Sequence, residues 1–360
     1  MIPKDICFLA GTLGQGGSER QLFYILRALQ QRGANLRLLT LTSGEFWEEK
    51  IKQLGIPVIW VGKQKARPMR LACIFKILRE HPPDVFQSQH FYANLYVVAA
   101  ARMLGIREVG AIRNNGLKET WSTNQVFGHL SLYTPRVLAA NSQASIRNAI
   151  NMGVPAARLY LLPNAVDSIQ FKPAPRAADG PIRLVAVGRL GKEKRFDRFL
   201  SILARLQQES SQRVRGMIVG AGSERSYLEN RAAELRLLPH QVEFKGASED
   251  VGEVYRQADI LVLTSDYEGT PNVVLEAMAS GLPVVATRVG GVPEIVQHER
   301  TGYVADPEDE NSMVEALLNL IGNSRLREEM GRRARTYIEA NHSLESLPVS
   351  LESLYELALS

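Results

Sequence analysis

Cysteine is scarce in this chain: Cys7 and Cys73 are the 2 cysteines among 360 residues. Both fall inside apolar patterns, which reads as two buried, reduced thiols, excludes a disulfide framework and predicts a cytoplasmic setting. No apolar run approaches the ~20 residues that a membrane span needs. The nearest stretch, Val85 to Ala101, is broken by Gln87, Ser88, Gln89, His90 and Asn94. The opening MIPKDICFLAGTLGQGG has too short an apolar run for a secretory leader and no cleavage site. The 6 histidines are scattered and neither cysteine has a partner at ligand spacing, so no metal centre is predicted. A Ser/His/Asp signature is also missing. In the glycine-rich turn AGTLGQGGSER (10–20), Gly14-Gln15-Gly16 is followed by Gly17-Ser18-Glu19 instead of x-x-Gly, and Thr40 and Thr42 stand where an acid would close the next strand. That disfavours a nicotinamide dehydrogenase, and without a Lys-Ser/Thr ending the turn is no P-loop.

What is present is a two-part chain. Residues 1–165 hold 20 Lys/Arg and 9 Asp/Glu, a balance of +11; residues 166–360 hold 23 and 29, a balance of −6, within a net charge of +5. Short apolar runs alternate with longer amphipathic patterns, the signature of parallel sheets flanked by helices. The runs are ICFLA (6–10), LRLLTL (36–41), PVIWV (57–61), DVFQSQ (84–89), EVGAIR (108–113) and RVLAA (136–140), with SERQLFYILRALQQRG (18–33) as the first helix. After a Pro/Ala-rich stretch the cycle restarts with IRLVAVG (182–188), RGMIVG (215–220), VEFKG (242–246), DILVLTS (259–265), PVVAT (283–287) and GYVA (302–305). The predicted fold class is therefore α/β, with two tandem doubly wound Rossmann-like domains. They comprise residues 1–168, a linker over 169–181, and residues 182–340, with a helical tail near 341–360. In such sheets ligands bind outside the carboxyl ends of the strands, where two facing domains would make a cleft.

The strand-to-helix turns carry the chemistry. At Gly16 and Gly17 the backbone is free of side chains and a helix begins, which suits a phosphate. The turn GRLGKEKRFD (188–197) opens with Gly188 and places Arg189 and Lys194 at one strand end, a cationic clamp for a diphosphate. In DYEGTPNVVLEAMASGLPVVAT (266–287), Thr270 is read as a helix cap with Pro271 at the first helical position. The segment Gly269, Thr270, Pro271, Asn272, Val273 then offers a helix N-terminus to an anion, with Glu268 just before it and Glu276 about 9 Å further along the axis. Acid, anion site and second acid match a ligand with hydroxyls at both ends and phosphates between, which is the layout of a nucleotide sugar.

At this point the sequence resembles the retaining glycosyltransferases of family 4 over nearly its whole length. The Glu-x7-Glu pair Glu268 and Glu276 is the most specific element, supported by GGSER (16–20), LLPNAVD (161–167), VGRLGKEKRFD (187–197) and GLPVVATRVGGVPEIV (281–296). The resemblance implies a GT-B fold with donor binding in the second domain and acceptor binding largely in the first. The C-terminal helix would return to the first domain, and Gly16 and Gly17 would reach the donor phosphates. It also implies no cofactor and no essential metal, with Arg189 and Lys194 in its place, and a catalytic set of Glu268, Arg189 and Lys194. Many relatives carry a histidine where this chain reads GAIRNNG (110–116). Arg113 and Asn115 stand in that region and, with His90, are the acceptor-side candidates.

The stretch KQKARPMRL (63–71) sets Lys63, Lys65, Arg67 and Arg70 beside apolar residues, which suits an anionic membrane surface. The expected enzyme moves a sugar, with a UDP-sugar favoured on family grounds, to a lipid-linked, polysaccharide or small-molecule hydroxyl, in the cytoplasm and peripherally on the inner leaflet. Competing readings are a nucleotide-sugar epimerase or hydrolase of the same fold, or a non-enzymatic nucleotide or nucleic-acid binder. The first lacks a locatable acid and histidine at the anomeric carbon. The second leaves the two glutamates idle, and without interleaved aromatics in the basic loop no nucleic-acid partner is expected.

Overall fold

The computed structural model describes residues 2–62, 66–113, 125–175 and 180–360. The chain divides into two compact units, residues 1–165 with 344–360, and residues 166–343. The first contains strands β1 (Asp5–Ala10), β2 (Asn35–Thr40), β3 (Val58–Trp60), β4 (Val85–Ser88), β5 (Arg107–Ile112), β6 (Val137–Ala140) and β7 (Leu159–Leu161). They form a 7-stranded sheet in the order β3-β2-β1-β4-β5-β6-β7, parallel at each pairing. The second contains β8 (Ile182–Val187), β9 (Val214–Val219), β10 (Val242–Gly246), β11 (Ile260–Leu263), β12 (Val284–Thr287) and β13 (Gly302–Ala305). Its 6-stranded parallel sheet runs β10-β9-β8-β11-β12-β13.

Strands this apolar form because helices cover both faces. Phe8, Leu9, Leu38, Phe86 and Val109 are fully buried in the first unit, as are Leu184, Val185, Ile260 and Val284 in the second. The edge strand β7 has no counterpart among the sequence expectations. Its three residues are all half-buried, too short and too mixed to leave a periodic signal.

The stretch expected as a linker is partly structural. Phe171 is fully buried against Tyr255, and Val166 forms a bridge with Ser343, so the second unit begins at Val166. The tail contains two helices. Ser324–Asn341 packs in the second unit, where Gly331 lies so close to Gly281 that a Cβ would meet its carbonyl oxygen at 2.1 Å. Leu347–Leu359 belongs to the first unit and buries Leu347, Leu351, Leu354, Tyr355 and Ala358, a 3.6-period stripe. Full burial of such side chains is worth about 1.5–3 kcal/mol each. The Tyr355 hydroxyl donates to Gln87 Oε1 at 2.8 Å and so ties the tail to the β4 end.

In each sheet the strand order reverses once, between β1 and β4 and between β8 and β11. Crevices at the carboxyl ends of strands open at such switch points. The turns after β1 and β4, and after β8 and β11, are therefore where chemistry belongs.

Candidate functional site

In the second unit the turn after β8 is built on backbone contacts. The Gly188 N–H donates to Val219 O at 3.0 Å. A Cβ on Gly220 would stand 1.8 Å from Gly188 O, so the turns after β8 and β9 approach as only glycine allows. Beyond it, Lys192–Lys194 forms a 3-10 turn ending in Arg195 at φ 49°. Thr264 Oγ1, at the end of β11, donates to Lys194 O (3.0 Å) and Arg195 O (2.8 Å) and fastens this turn across the switch point. Buried Arg198 adds bonds to Thr264 O at 2.6 Å and Asp266 Oδ1 at 3.3 Å.

The same arrangement brings Lys194 to Glu268. Lys194 Nζ lies 2.6 Å from Glu268 Oε1, which also accepts from Ser265 Oγ at 2.7 Å. Glu268 is buried, and its backbone is pinned from behind: Gly291 N–H donates to Gly269 O at 2.8 Å, and a Cβ on Gly290 would meet Glu268 O at 1.8 Å. Arg189 reaches outward, its side chain 77% exposed and bonded to Glu193 Oε1 at 2.7 Å. The Arg189 guanidinium contributes to holding the Glu193 carboxyl below its ordinary range, against the opposing effect of burial.

The helix after Glu268 runs Asn272–Ala279, with Pro271 in the capping position and no side-chain cap. The expected Thr270 cap with Pro271 as first helical residue is thus displaced by one position, because the Gly269 carbonyl is held by Gly291 and the chain stays extended through Pro271. Pro271 has no N–H, so the donors at this terminus come from its neighbours. Glu276 lies inside the helix, 4% exposed, and its Oε2 accepts from the Tyr255 hydroxyl at 3.2 Å. A carboxylate in such a core is costly unless its neighbours or a ligand satisfy it.

In the first unit, the turns after β1 and β4 are locked together through His90. Its Nδ1 accepts from Gly11 N–H at 3.0 Å, which leaves Nε2 to donate to Glu19 Oε1 at 3.1 Å. The ring stacks on Tyr92 with centroids 5.3 Å apart. Tyr92 is 47% exposed as a whole, but desolvation of its hydroxyl, assisted by Glu19 and Glu45, pushes that hydroxyl up to about 12. Gly16 precedes the helix Gly17–Gln31, and a Cβ there would meet Glu19 Oε2 at 2.2 Å. Both His90 nitrogens are therefore engaged within the unit. Arg113, half-buried past the end of β5, has its carbonyl bonded to Asn141 Nδ2 at 3.0 Å. Asn115, Lys63 and Lys65 lie outside the described residues.

The sequence expectations omit Ser265, Thr264, Arg198 and Tyr255, whose roles come from contacts 3 to 70 positions away in the chain. Glu19 lies within GGSER, where local pattern assigns it no role. Among the described residues no group of three or more His, Cys, Asp or Glu is placed to hold a metal ion. No helix among them is long and apolar enough to cross a membrane.

Comparison with known proteins bears on the family and the fold. Residues 15–169 match the model described as Glycosyltransferase Family 4, and residues 167–337 the one described as Glycosyl transferases group 1. The chain is 29% identical over 189 residues to N-acetyl-alpha-D-glucosaminyl L-malate synthase of Bacillus anthracis, covering 52% of this chain and 49% of that one. It is 31% identical over 272 residues to a GDP-mannose-dependent alpha-mannosyltransferase of Mycobacterium tuberculosis, covering 69% and 67%. The matches to the first of the curated relatives span about half of their length. Anabaena Alr3699/HepE, solved in complex with UDP-glucose, superposes with a TM-score of 0.87 at 20% identity, covering 98% of this chain and 99% of that one. That likeness establishes the fold as GT-B.

Proposed function

This chain belongs to family 4 of the glycosyltransferases, and on that premise we propose that it transfers a glycosyl group from a nucleoside diphosphate sugar to an acceptor hydroxyl with retention of configuration. The observation that carries the reading is the Lys194–Glu268 pair at the β8/β11 switch point, flanked by the glycine turn at 188 and by Glu276. Lys194 and Arg189 stabilise the diphosphate, together with the N–H groups of Gly269, Thr270, Asn272 and Val273. Glu276 accepts from the ribose hydroxyls, and Glu268 from the sugar.

In the proposed chemistry the acceptor oxygen attacks the anomeric carbon on the face from which the diphosphate departs. The C–O bond to phosphate breaks, the acceptor proton passes to a phosphate oxygen, and the nucleoside diphosphate leaves. Charge grows on that phosphate, and cations already in place stabilise it without reorganising. Arg189 and Lys194 do this work in place of a metal, so the rate is predicted to be indifferent to EDTA.

UDP is the proposed donor nucleotide, supported by the UDP-glucose complex of the similar structure; the GDP-mannose-dependent relative favours GDP as the second reading. The acceptor is a saccharide or a lipid-linked one, taken up by the first unit at the cytoplasmic face. Docking there on an anionic membrane is supported by Arg67, 5.3 Å from the Phe127 ring, beside exposed Met69, Val126 and Leu130.

Calorimetric titration with UDP and GDP, with and without EDTA, on wild type and Glu276→Ala tests the donor site. The expected outcome is tight binding of one nucleotide, unchanged by EDTA and weakened about tenfold or more by the substitution, the size of one hydrogen bond to a charged group. Equal affinity in the variant would remove Glu276 from the donor site. For the membrane proposal, sedimentation showing no preference for anionic over neutral vesicles would refute it.

A further inference from the structure

We infer that the amino-end edge of the second unit's sheet holds a site for a small phosphorylated ligand, of the sugar phosphate class, apart from the donor turns. A cavity of about 540 Å³ there is lined by Arg183, Arg215, His240, Gln241, Glu243 and Lys245 among others, a size within the usual range for small-molecule sites. Arg183 on β8 and Arg215 on β9 are direct partners in the parallel register, and both side chains are exposed. Like charges directly opposite on neighbouring strands repel, and an anion between them removes that cost.

Arg183 Nη1 donates to Gln257 O at 3.3 Å, while the Asp259 carboxylate is engaged by the Arg183 backbone N–H at 2.8 Å. The Arg215 side chain has no hydrogen-bond or ion-pair partner among the described residues. The β9–β10 register shifts between Phe244 and Gly246, which takes Lys245 out of the ladder and turns it to the same cavity, where its Nζ donates to Gln257 Oε1 at 3.0 Å. Bulges of this kind re-aim side chains beside binding sites.

The other half of the cavity accepts hydrogen bonds. Glu243 presents an exposed carboxylate in the lining. Two arginines and a lysine suit a phosphate, to which guanidinium groups bind bidentately. The exposed Glu243 carboxylate suits hydroxyls. A phosphorylated sugar carries both. Arg183 precedes Gly188 by five residues of β8, about 16 Å at the rise of an extended strand, so this ligand does not occupy the donor turns.

Calorimetry on the full chain, with and without saturating UDP, compares glucose 6-phosphate, inorganic phosphate and glucose as probes. Glucose 6-phosphate is expected to bind in both conditions, phosphate more weakly, and glucose not at all. The double variant R183A/R215A is expected to lose about tenfold or more in affinity, whereas Arg189→Ala leaves it unchanged. Should the double variant melt differently from wild type, Arg215→Ala alone, exposed and without a partner to lose, provides the same comparison. No binding by wild type, or undiminished binding by the arginine variants, overturns the site; phosphate binding as tightly as glucose 6-phosphate overturns the sugar phosphate class. The arm without UDP separates this result from the donor reading, since failure of UDP to bind leaves it intact.

Discussion

Replacing Lys194 with alanine separates a structural ion pair from a catalytic one. The Lys194 side chain is 23% exposed and Glu268 9%, with 2.6 Å between Nζ and Oε1. Removing one partner of a fully buried pair costs about 3–5 kcal/mol, and an exposed pair is worth about 0–1. Lys194 stands between these limits, and Ser265 remains to hold Glu268 Oε1, so the loss should be about 1–2 kcal/mol. For a unit of this size that lowers the melting temperature by about 3–6 °C. Catalysis should suffer far more. If Lys194 meets the charge that develops on the departing phosphate, its loss resembles the loss of an oxyanion donor, about 10²–10³ in kcat. The assay follows nucleoside diphosphate release at saturating donor and acceptor, at a temperature where circular dichroism shows the variant folded. Refutation is clear: a kcat within about threefold of wild type, alongside the expected fall in melting temperature, would make the pair scaffolding and the proposed charge stabilisation wrong.

Gly290→Ala introduces a Cβ 1.8 Å from Glu268 O at φ 52°. It should weaken UDP binding and lower stability by about 1–3 kcal/mol together, read by calorimetry and a urea melt; an unaltered pair of values would show that Glu268 does not depend on that approach. Leu354→Ala, at a fully buried position of the tail helix, should cost the first unit about 2–5 kcal/mol. Chemical denaturation tests this, and a loss below about 0.5 kcal/mol would mean the helix is not part of that core. Tyr92 makes stability pH-dependent. Its hydroxyl rises from 10.0 to about 12, so the native chain keeps a proton that the unfolded chain releases. The resulting stabilisation is complete below pH 10 and is lost as pH rises from there through about 12. Tyr92→Phe should flatten that part of the urea-midpoint curve, and an unchanged slope would contradict the assignment.

Much of the candidate site was legible from local pattern. The buried strands ending at Ala10, Val187 and Leu263 announce themselves as apolar runs stopped by glycine or polar residues, and Gly281 at φ 73° ends the Asn272–Ala279 helix where glycine and proline signalled. What misled was equally local. Thr270-Pro271 has the composition of a helix start, but the Gly291 N–H takes the Gly269 carbonyl and delays the helix to Asn272. Strand β7 exists because β6 offers it an edge, which no three-residue window reveals.

By itself the amino-acid sequence determined which segments become strands and helices, where they break, and which turns carry glycine, acid and cation. Period, turn chemistry and charge act over a few residues, so they can be read along the chain. Only the tertiary structure decided that Lys194 meets Glu268, that Thr264 fastens the Lys194 turn, that Tyr255 caps Glu276 and that Arg183 faces Arg215. Those partners are set by the order of strands in the sheet. Strand order is fixed by the burial of whole faces and by long-range pairing, and no local pattern encodes it.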